Sequence, residues 1–152
     1  MKTIILILSL FLSLGCNNND PQTPFQPSEL NFTEIGKGEL FTSYQNNDNG
    51  INLVIDNLTE WNNLINTIDN PNNVSANFTE TNIDFSNFQV IAVFDKAYIN
   101  GGWSIDITSI IENENNLTVN IDNLQSGDLT QISIQPFHIV KIPVTNKPIE
   151  FE

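Results

Sequence analysis

The sequence has no arginine, and its positive charge comes from only five lysines among 152 residues. Eighteen aspartates and glutamates oppose them, so the formal net charge at pH 7 is −13. Proteins that bind nucleic acids neutralise phosphate groups with clusters of lysine and arginine. We therefore expect no nucleic-acid partner. The same repulsion disfavours docking of the folded surface on anionic lipid.

Cysteine and histidine are equally scarce, with one residue of each type. A single cysteine excludes an intrachain disulfide and a cysteine-based metal cluster. The single histidine, His138, alternates with Val140 and Ile142, which places it on an apolar strand face and predicts a hydrogen-bonded core histidine. No Gly-x-Ser-x-Gly motif supplies an activated serine.

These absences predict a protein that is not an enzyme and that has no catalytic residues, no cofactor and no metal site. A hydrolase that uses His138 stays open as an alternative, because histidine is the side chain best suited to acid–base work near neutral pH. That alternative requires a carboxylate and a hydroxyl group beside the His138 ring in a cleft.

A short, mainly apolar segment follows Lys2 and ends at Gly15 and Cys16. A bilayer-spanning helix needs about 20 apolar residues, so this segment is too short to stay in a membrane. A positive charge, a short aliphatic run and a small residue before cysteine are typical of a bacterial lipoprotein signal, although Ser13 stands where an aliphatic residue is usual. We predict residues 1–15 to be a signal peptide and Cys16 to be the lipidation site. An ordinary cleaved signal with an unmodified cysteine is the alternative.

The stretch after the cysteine is polar and is interrupted by prolines, which is typical of an extended linker. We predict residues 16–28 to be the acylated cysteine and a flexible tether, and residues 29–152 to be one folded domain. Each buried methylene of an acyl chain contributes about 0.8 kcal/mol, so two or three chains hold a protein on a membrane. Because Asn17 and not an aspartate follows the cysteine, we expect a lipid-anchored protein of the bacterial cell envelope, at the outer membrane.

Hydrophobic periodicity predicts one helix, which follows a strand at Ile51–Ile55. Its apolar face recurs at helical spacing and consists of Trp61, Leu64, Ile65 and Ile68. Asp56 or Thr59 is expected to cap its first turn, because short polar side chains accept the free N–H groups there. The dipeptide Asn49-Gly50 before the strand is the one favoured in two-residue hairpin turns.

The second half of the chain has the short apolar and alternating segments that are typical of β-strands. The run over 89–94 predicts a central strand covered on both faces. Asn100-Gly101-Gly102 is expected to reverse the chain after it. Further strands are predicted, with short turns between them, at 103–108, 117–122, 129–134 and 137–144. The sequence therefore predicts the α+β class, mostly β, with an antiparallel β meander curled against one helix.

Three segments, at 83–94, 101–107 and 136–143, resemble the C-terminal domain of PrcB, the lipoprotein subunit of a protease complex. The helix that contains Trp61 fits the same layout, and the likeness covers most of the predicted domain. Where the family has Thr-Gly-Gly-Tyr, this chain has Asn-Gly-Gly-Trp. Family members are typically secreted lipoproteins, and the namesake associates with and stabilises a subtilisin-like surface protease. The resemblance implies a non-enzymatic accessory subunit that binds an exported protease.

The candidate partner-binding residues are Tyr98, Asn100, Gly101, Gly102 and Trp103. Two glycines permit close approach of another backbone, and large amphipathic aromatics are favoured at interface hot spots. A purely structural alternative is that the glycines turn a hairpin and Trp103 packs inside. The expected function is a membrane-anchored accessory subunit that stabilises or tethers an exported, subtilisin-like protease. A glycan- or peptide-binding module at the cell surface is the alternative.

Overall fold

The computed structural model describes residues 23–41 and 49–152, so the predicted signal peptide, Cys16 and residues 42–48 lie outside the described part. The strands in chain order are β1 (Ser28–Glu29), β2 (Thr33–Leu40), β3 (Ile51–Ile55), β4 (Phe88–Phe94), β5 (Asp106–Glu112), β6 (Leu117–Asp122), β7 (Gln135–Pro143) and β8 (Ile149–Phe151). The helix α1 (Leu58–Asp69) and a 3-10 helix (Val74–Asn77) lie between β3 and β4. Ser28, the last residue of the predicted tether, already pairs with Glu112 of β5.

The strands form two four-stranded sheets that lie face to face. The central sheet has the order β2-β7-β4-β3 and is antiparallel throughout. The outer sheet has the order β1-β5-β6-β8, with β8 parallel to β6 and the other pairs antiparallel. The predicted class, α+β and mostly β, is therefore confirmed.

Two of the predicted turns do not join neighbouring strands. Asn49-Gly50 precedes β3, but β2 pairs with β7 and β3 pairs with β4, so no β2–β3 hairpin exists. Asn100-Gly101-Gly102 follows β4, but the next strand, β5, belongs to the other sheet. Both predictions were wrong because a turn-forming dipeptide fixes only the local backbone and carries no information about which strand lies alongside.

Two hydrophobic cores flank the central sheet, one on each face. One core lies against α1 and the other fills the space between the two sheets. Along β4, Val90 and Ala92 face the helix, while Ile91 and Val93 face the outer sheet. The prediction that 89–94 forms a central strand covered on both faces is confirmed.

The helix has the apolar face that its periodicity predicted. Trp61, Leu64 and Ile68 are buried against the central sheet, and the indole Nε1 of Trp61 donates a hydrogen bond to the carbonyl of Thr81 at 2.7 Å. The predicted cap was wrong. Asn57 caps the helix, because its side-chain oxygen accepts the backbone N–H three residues further on at 2.9 Å.

The strand β2 was not predicted, and a β-bulge explains why its pattern was hidden. Glu34 lies opposite Val140 in β7, whereas the next paired residue, Gly36, lies opposite Ile139, so Ile35 is an extra residue in β2. An extra residue reverses the alternation of side chains between the two faces. Glu34 and Lys37 therefore point towards the outer sheet, although their spacing of three would place them on opposite faces of a regular strand.

The outer part of the molecule differs from the prediction in three further places. Residues 129–134 form no strand, and Leu129 is 99% exposed. The strand predicted from residue 103 begins at Asp106, because Trp103 makes only an isolated bridge to Ser126. The three-residue β8 was missed, since so short a segment gives no usable periodicity.

We expect Gly36→Ala to lower the free energy of unfolding by about 1–3 kcal/mol, the usual cost of overpacking. A Cβ atom at Gly36 would lie 2.3 Å from the Phe78 ring, so the ring must move. Gly38→Ala in the same strand is the matched control, because its Cβ would meet the Phe137 ring at an ordinary 3.5 Å. Urea unfolding of both variants measures the difference. Equal stabilities would show that Gly36 is not required by the Phe78 ring.

Candidate functional site

Two loops at one end of the sandwich pair with each other, and we call residues 95–105 and 123–134 the paired loops. Backbone hydrogen bonds of 2.8 and 3.0 Å join Tyr98 to Ile134 in both directions. Further along, the N–H of Gly127 donates to the carbonyl of Gly102 at 3.0 Å, and that of Asp128 to Gly101 at 2.8 Å. These contacts hold the two loops as one surface.

Tyr98 and Trp103, two of the predicted partner-binding residues, stack on each other within this surface. Their ring centroids lie 4.2 Å apart with planes inclined by 10°. The indole Nε1 of Trp103 donates to the side-chain oxygen of Asn100 at 3.1 Å, and the hydroxyl of Tyr98 donates to Asp95 at 2.7 Å. Burial and the contact with Asp95 raise the pKa of the Tyr98 hydroxyl above its ordinary value of 10, so the hydroxyl stays neutral.

The alternation of Trp103 with Ile105 and Ile107 suggested that Trp103 packs in the core. In the structure it does not. Ile105 and Ile107 are buried between the sheets, whereas Trp103 is half-buried at the end of the sandwich. The alternation breaks at Trp103 because β5 begins only at Asp106, and the residues before it belong to a loop.

Glycines on both paired loops are needed for the packing of one loop on the other: Gly102 belongs to the predicted site, and Gly127 lies on the opposite loop. Gly102 has a φ of +75°, and a Cβ there would lie 2.9 Å from the Asp128 carboxylate. Gly127 has a φ of +82°, and a Cβ there would lie 2.5 Å from the indole nitrogen of Trp103. Gly101 is buried. The structure therefore brings the five predicted residues together, but the two glycines among them face the other loop and not solvent.

Sequence reasoning missed the apolar residues that this surface does expose. Of the nine large apolar side chains that are exposed in the described part of the chain, four lie on the paired loops. They are Ile99 at 86%, Leu124 at 65%, Leu129 at 99% and Ile132 at 50% exposure. The spacing of Leu129, Ile132 and Ile134, three residues and then two, is the irregularity that could have revealed a loop in place of a strand.

A cleft of 420 Å³ lies between β2 and the paired loops. Glu34 and Glu39 line it from the strand, and Trp103, Ile105 and Gln125 line it from the loops. The carboxylate of Glu39 accepts the backbone N–H of Gly102 at 3.0 Å, which ties the strand to the loop. The cleft therefore opens between two elements that are fixed to each other.

Lys37, which lines the cleft, forms an ion pair that joins the two sheets. Lys37 of β2 binds the carboxylate of Asp106 at the start of β5 and so connects the two sheets. The hydroxyl of Ser104 donates to the same carboxylate at 2.5 Å, and the backbone N–H of Leu124 does so at 3.3 Å. Burial alone would raise the pKa of Asp106, but the Lys37 and Ser104 contacts hold it below its ordinary value of 3.8, so the carboxylate stays ionised.

His138 is buried between the sheets and hydrogen-bonded, which confirms its prediction as a core histidine. Its Nδ1 accepts the backbone N–H of Ile107 at 2.9 Å, so the ring proton resides on Nε2, which lies 3.2 Å from the Glu34 carboxylate. The hydroxyl of Ser104 donates to Asp106 and not to His138. Ser104 and His138 are therefore not arranged as a nucleophile and its base.

In the described part of the chain, no group of three or more acidic, histidine or cysteine side chains is placed to hold a metal ion. No helix within residues 23–41 and 49–152 is long and apolar enough to cross a membrane. No family model, no curated protein and no solved structure matches the chain. The resemblance to PrcB therefore stays a prediction.

We expect the protein to lose stability as the pH falls below about 6.5 because of His138. Burial, opposed by Glu34, lowers the pKa of His138 below its ordinary value of 6.5. The unfolded chain then binds a proton at a higher pH than the folded protein, so this contribution is complete above pH 6.5 and is lost as the pH falls towards the folded pKa. Urea unfolding between pH 7.5 and 5 measures the loss.

The control for this prediction is His138→Asn, which keeps an acceptor near the position of Nδ1 but does not titrate. Carboxylates such as Asp106, whose pKa is held below 3.8, affect stability only at lower pH. The variant should therefore show a flatter stability profile between pH 7.5 and 5. Parallel profiles for both proteins would contradict the assignment to His138.

Proposed function

We propose that this protein is a lipid-anchored, non-enzymatic accessory subunit of the bacterial cell envelope, and that it binds an exported protein through the paired loops. The observation that carries the proposal is that Ile99, Leu124, Leu129 and Ile132 are all exposed on two loops that backbone hydrogen bonds hold together. Several large apolar side chains exposed on one surface are unfavourable in water and typically mark an interaction site. Single exposed apolar residues elsewhere on the protein carry no such meaning.

The rigidity of the paired loops supports a binding role. Each loop is held to the other by backbone hydrogen bonds, and the Tyr98–Trp103 stack lies beside the exposed side chains. A surface that is already ordered before binding loses less conformational entropy when a partner arrives. The paired loops are thus suited to a preformed interface.

The position of the surface relative to the chain's point of entry also supports the proposal. β1, which follows the predicted tether, pairs with Ile111 and Glu112 at the end of β5, whereas the paired loops adjoin its first residue, Asp106. The seven residues of β5 span about 20 Å at the usual rise of a strand. The paired loops therefore lie at the other end of β5 from the point where the chain enters the domain.

The resemblance to PrcB suggests an exported, subtilisin-like protease as the partner class. Of the alternatives, the cleft favours a peptide ligand over a glycan. Sugar rings stack on broad open aromatic faces, whereas Tyr98 and Trp103 each cover one face of the other ring. Gly127 lies against the indole edge of Trp103 as well.

The lipid anchor is tested by labelling growing cells with radioactive palmitate. We expect the chain to incorporate label and Cys16→Ser to abolish it, because only the thiol at Cys16 can form the thioether to the lipid. Ser13→Leu, which restores an aliphatic residue before the cysteine, is the control and should be labelled at least as strongly as the natural sequence. Label that survives Cys16→Ser would remove the anchor from the proposal.

The interface is tested by photo-crosslinking in intact cells, with a benzoylphenylalanine in place of Leu129. We expect covalent products that contain an exported protein. The matched control carries the same group in place of Leu58, which is 54% exposed at the start of α1. The end of β3 that leads into α1 pairs with the start of β4, whereas the paired loops follow the end of β4. Ile132→Ser should reduce the product at position 129 about tenfold, since a buried isoleucine contributes about 1.5–3 kcal/mol. Equal products from both positions would contradict a specific interface at the paired loops.

A further inference from the structure

We infer that the partner's docking segment is basic as well as apolar, and that one of its lysine or arginine side chains enters the cleft between Glu39 and Trp103. This inference rests on the proposed function, because it describes the chemistry of the partner at the same surface. Four observations carry it: the charge of the cleft, the shortage of free cations around it, the aromatic wall and the apolar rim.

The cleft is negatively charged. Glu34 and Glu39 line it, and the side chain of Glu34 is 55% exposed. Lys37 also lines the cleft, but its charge is neutralised by Asp106 behind it. The lining groups and Asp106 together therefore carry a net charge of about −2, and a cation that enters the cleft gains attraction that is weakly screened at close range.

The lysines of the described chain cannot supply that cation, because each is already engaged. Lys141 pairs with Glu80, and Lys147 pairs with Glu112 at 2.9 Å. Lys96 lies on the paired loops, with its Nζ 5.1 Å from the centre of the Tyr98 ring. Asp95 and Asp128 add further negative charge to the paired loops, and the hydrogen bonds from Thr130 keep the pKa of Asp128 below its ordinary value. Because the lysines of the described residues are engaged elsewhere, we assign the cation to the partner.

The wall of the cleft suits a long cationic side chain. Trp103 lines the cleft together with Glu39, and Tyr98 covers one face of its ring. A cation within about 6 Å of the centre of an aromatic face is attracted by the ring, and a neighbouring carboxylate adds to that attraction. One oxygen of Glu39 is held by the N–H of Gly102, so the carboxylate has a fixed orientation before any ligand arrives. The volume of 420 Å³ is at the lower end of the range for ligand sites, enough for one extended side chain and its flanking backbone.

The exposed apolar side chains of the paired loops indicate that the partner's docking segment also has aliphatic side chains. Leu124 adjoins Gln125 at the rim of the cleft, and Ile99 and Leu129 project from the two loops. A segment that alternates cationic and aliphatic side chains satisfies both the cleft and the rim. A second copy of this chain is a poor occupant, because its own surface carries the same excess of negative charge.

The test uses the full chain in micelles of a non-ionic detergent and a fluorescent octapeptide that alternates arginine with leucine. Fluorescence anisotropy measures the dissociation constant, with empty micelles as the blank. We expect the same peptide with citrulline, the neutral isostere of arginine, to bind at least about tenfold more weakly. Replacement of the leucines by serine should weaken binding by a similar factor, because the apolar rim then has no partner.

The matched variants separate the cleft from the general acidity of the protein. Glu39→Gln removes the charge but keeps an oxygen that can accept the hydrogen bond from the backbone N–H of Gly102. We expect this variant to bind the arginine peptide about tenfold more weakly. Glu114→Gln removes an exposed charge in the β5–β6 turn at the other end of β5, and we expect a change below about twofold. Leu129→Ser should weaken binding without changing the preference for arginine over citrulline.

Three results would overturn the inference: equal binding of the arginine and citrulline peptides, no effect of Glu39→Gln, or an equal effect of Glu114→Gln. Failure of this inference can be distinguished from failure of the proposed function. If position 129 still crosslinks an exported protein while the peptide shows no preference for arginine, the interface stands and only its basic partner is wrong. If the crosslink is absent as well, the proposed function fails with it.

Discussion

The extra residue at Ile35 in β2 is the constraint on which the rest of the site depends. It reverses the side-chain alternation, so that Glu34 joins Lys37 and Glu39 on the face towards the outer sheet. From that face Lys37 reaches Asp106 and Glu34 reaches His138. A regular strand would place Glu34 against the helix-side core, where an ionised carboxylate has no partner and is costly to bury. The bulge thus creates the polar side of the cleft and the polar link between the two sheets.

The use of charge explains how a strongly acidic chain stays folded. Three lysines pair with carboxylates, and these pairs lie where elements from different parts of the chain meet. Two of them also lie over an aromatic ring, Phe88 or Phe25. Several other carboxylates of the described residues, among them Glu29, Asp56 and Asp122, are exposed to water. The free energy of folding comes mainly from the two apolar cores, because exposed ion pairs contribute little to stability.

The sequence was most informative where periodicity and burial agree. The apolar face of α1 and the continuous run of β4 both follow from side-chain spacing, and both were predicted correctly. β2 was hidden because two glycines and a bulge remove its alternation. Residues 129–134 of the paired loops were mistaken for a strand because their exposed leucine and isoleucine residues resemble strand residues. Strand order could not be derived, since neither turn dipeptides nor alternation state which strand lies alongside. The cleft depends on that order, and of the residues that line it only Trp103 was predicted as a site residue.

The two tryptophans of the chain occupy contrasting environments, and the contrast has a practical consequence. Trp61 is fully enclosed beneath the helix, whereas Trp103 is half-open beside the cleft. A small neutral quencher such as acrylamide reaches an indole only when it is accessible, so the emission of the native protein separates into a shielded and an accessible component. The molecule therefore carries two intrinsic optical reporters, one for the integrity of its helical layer and one for the state of its loops.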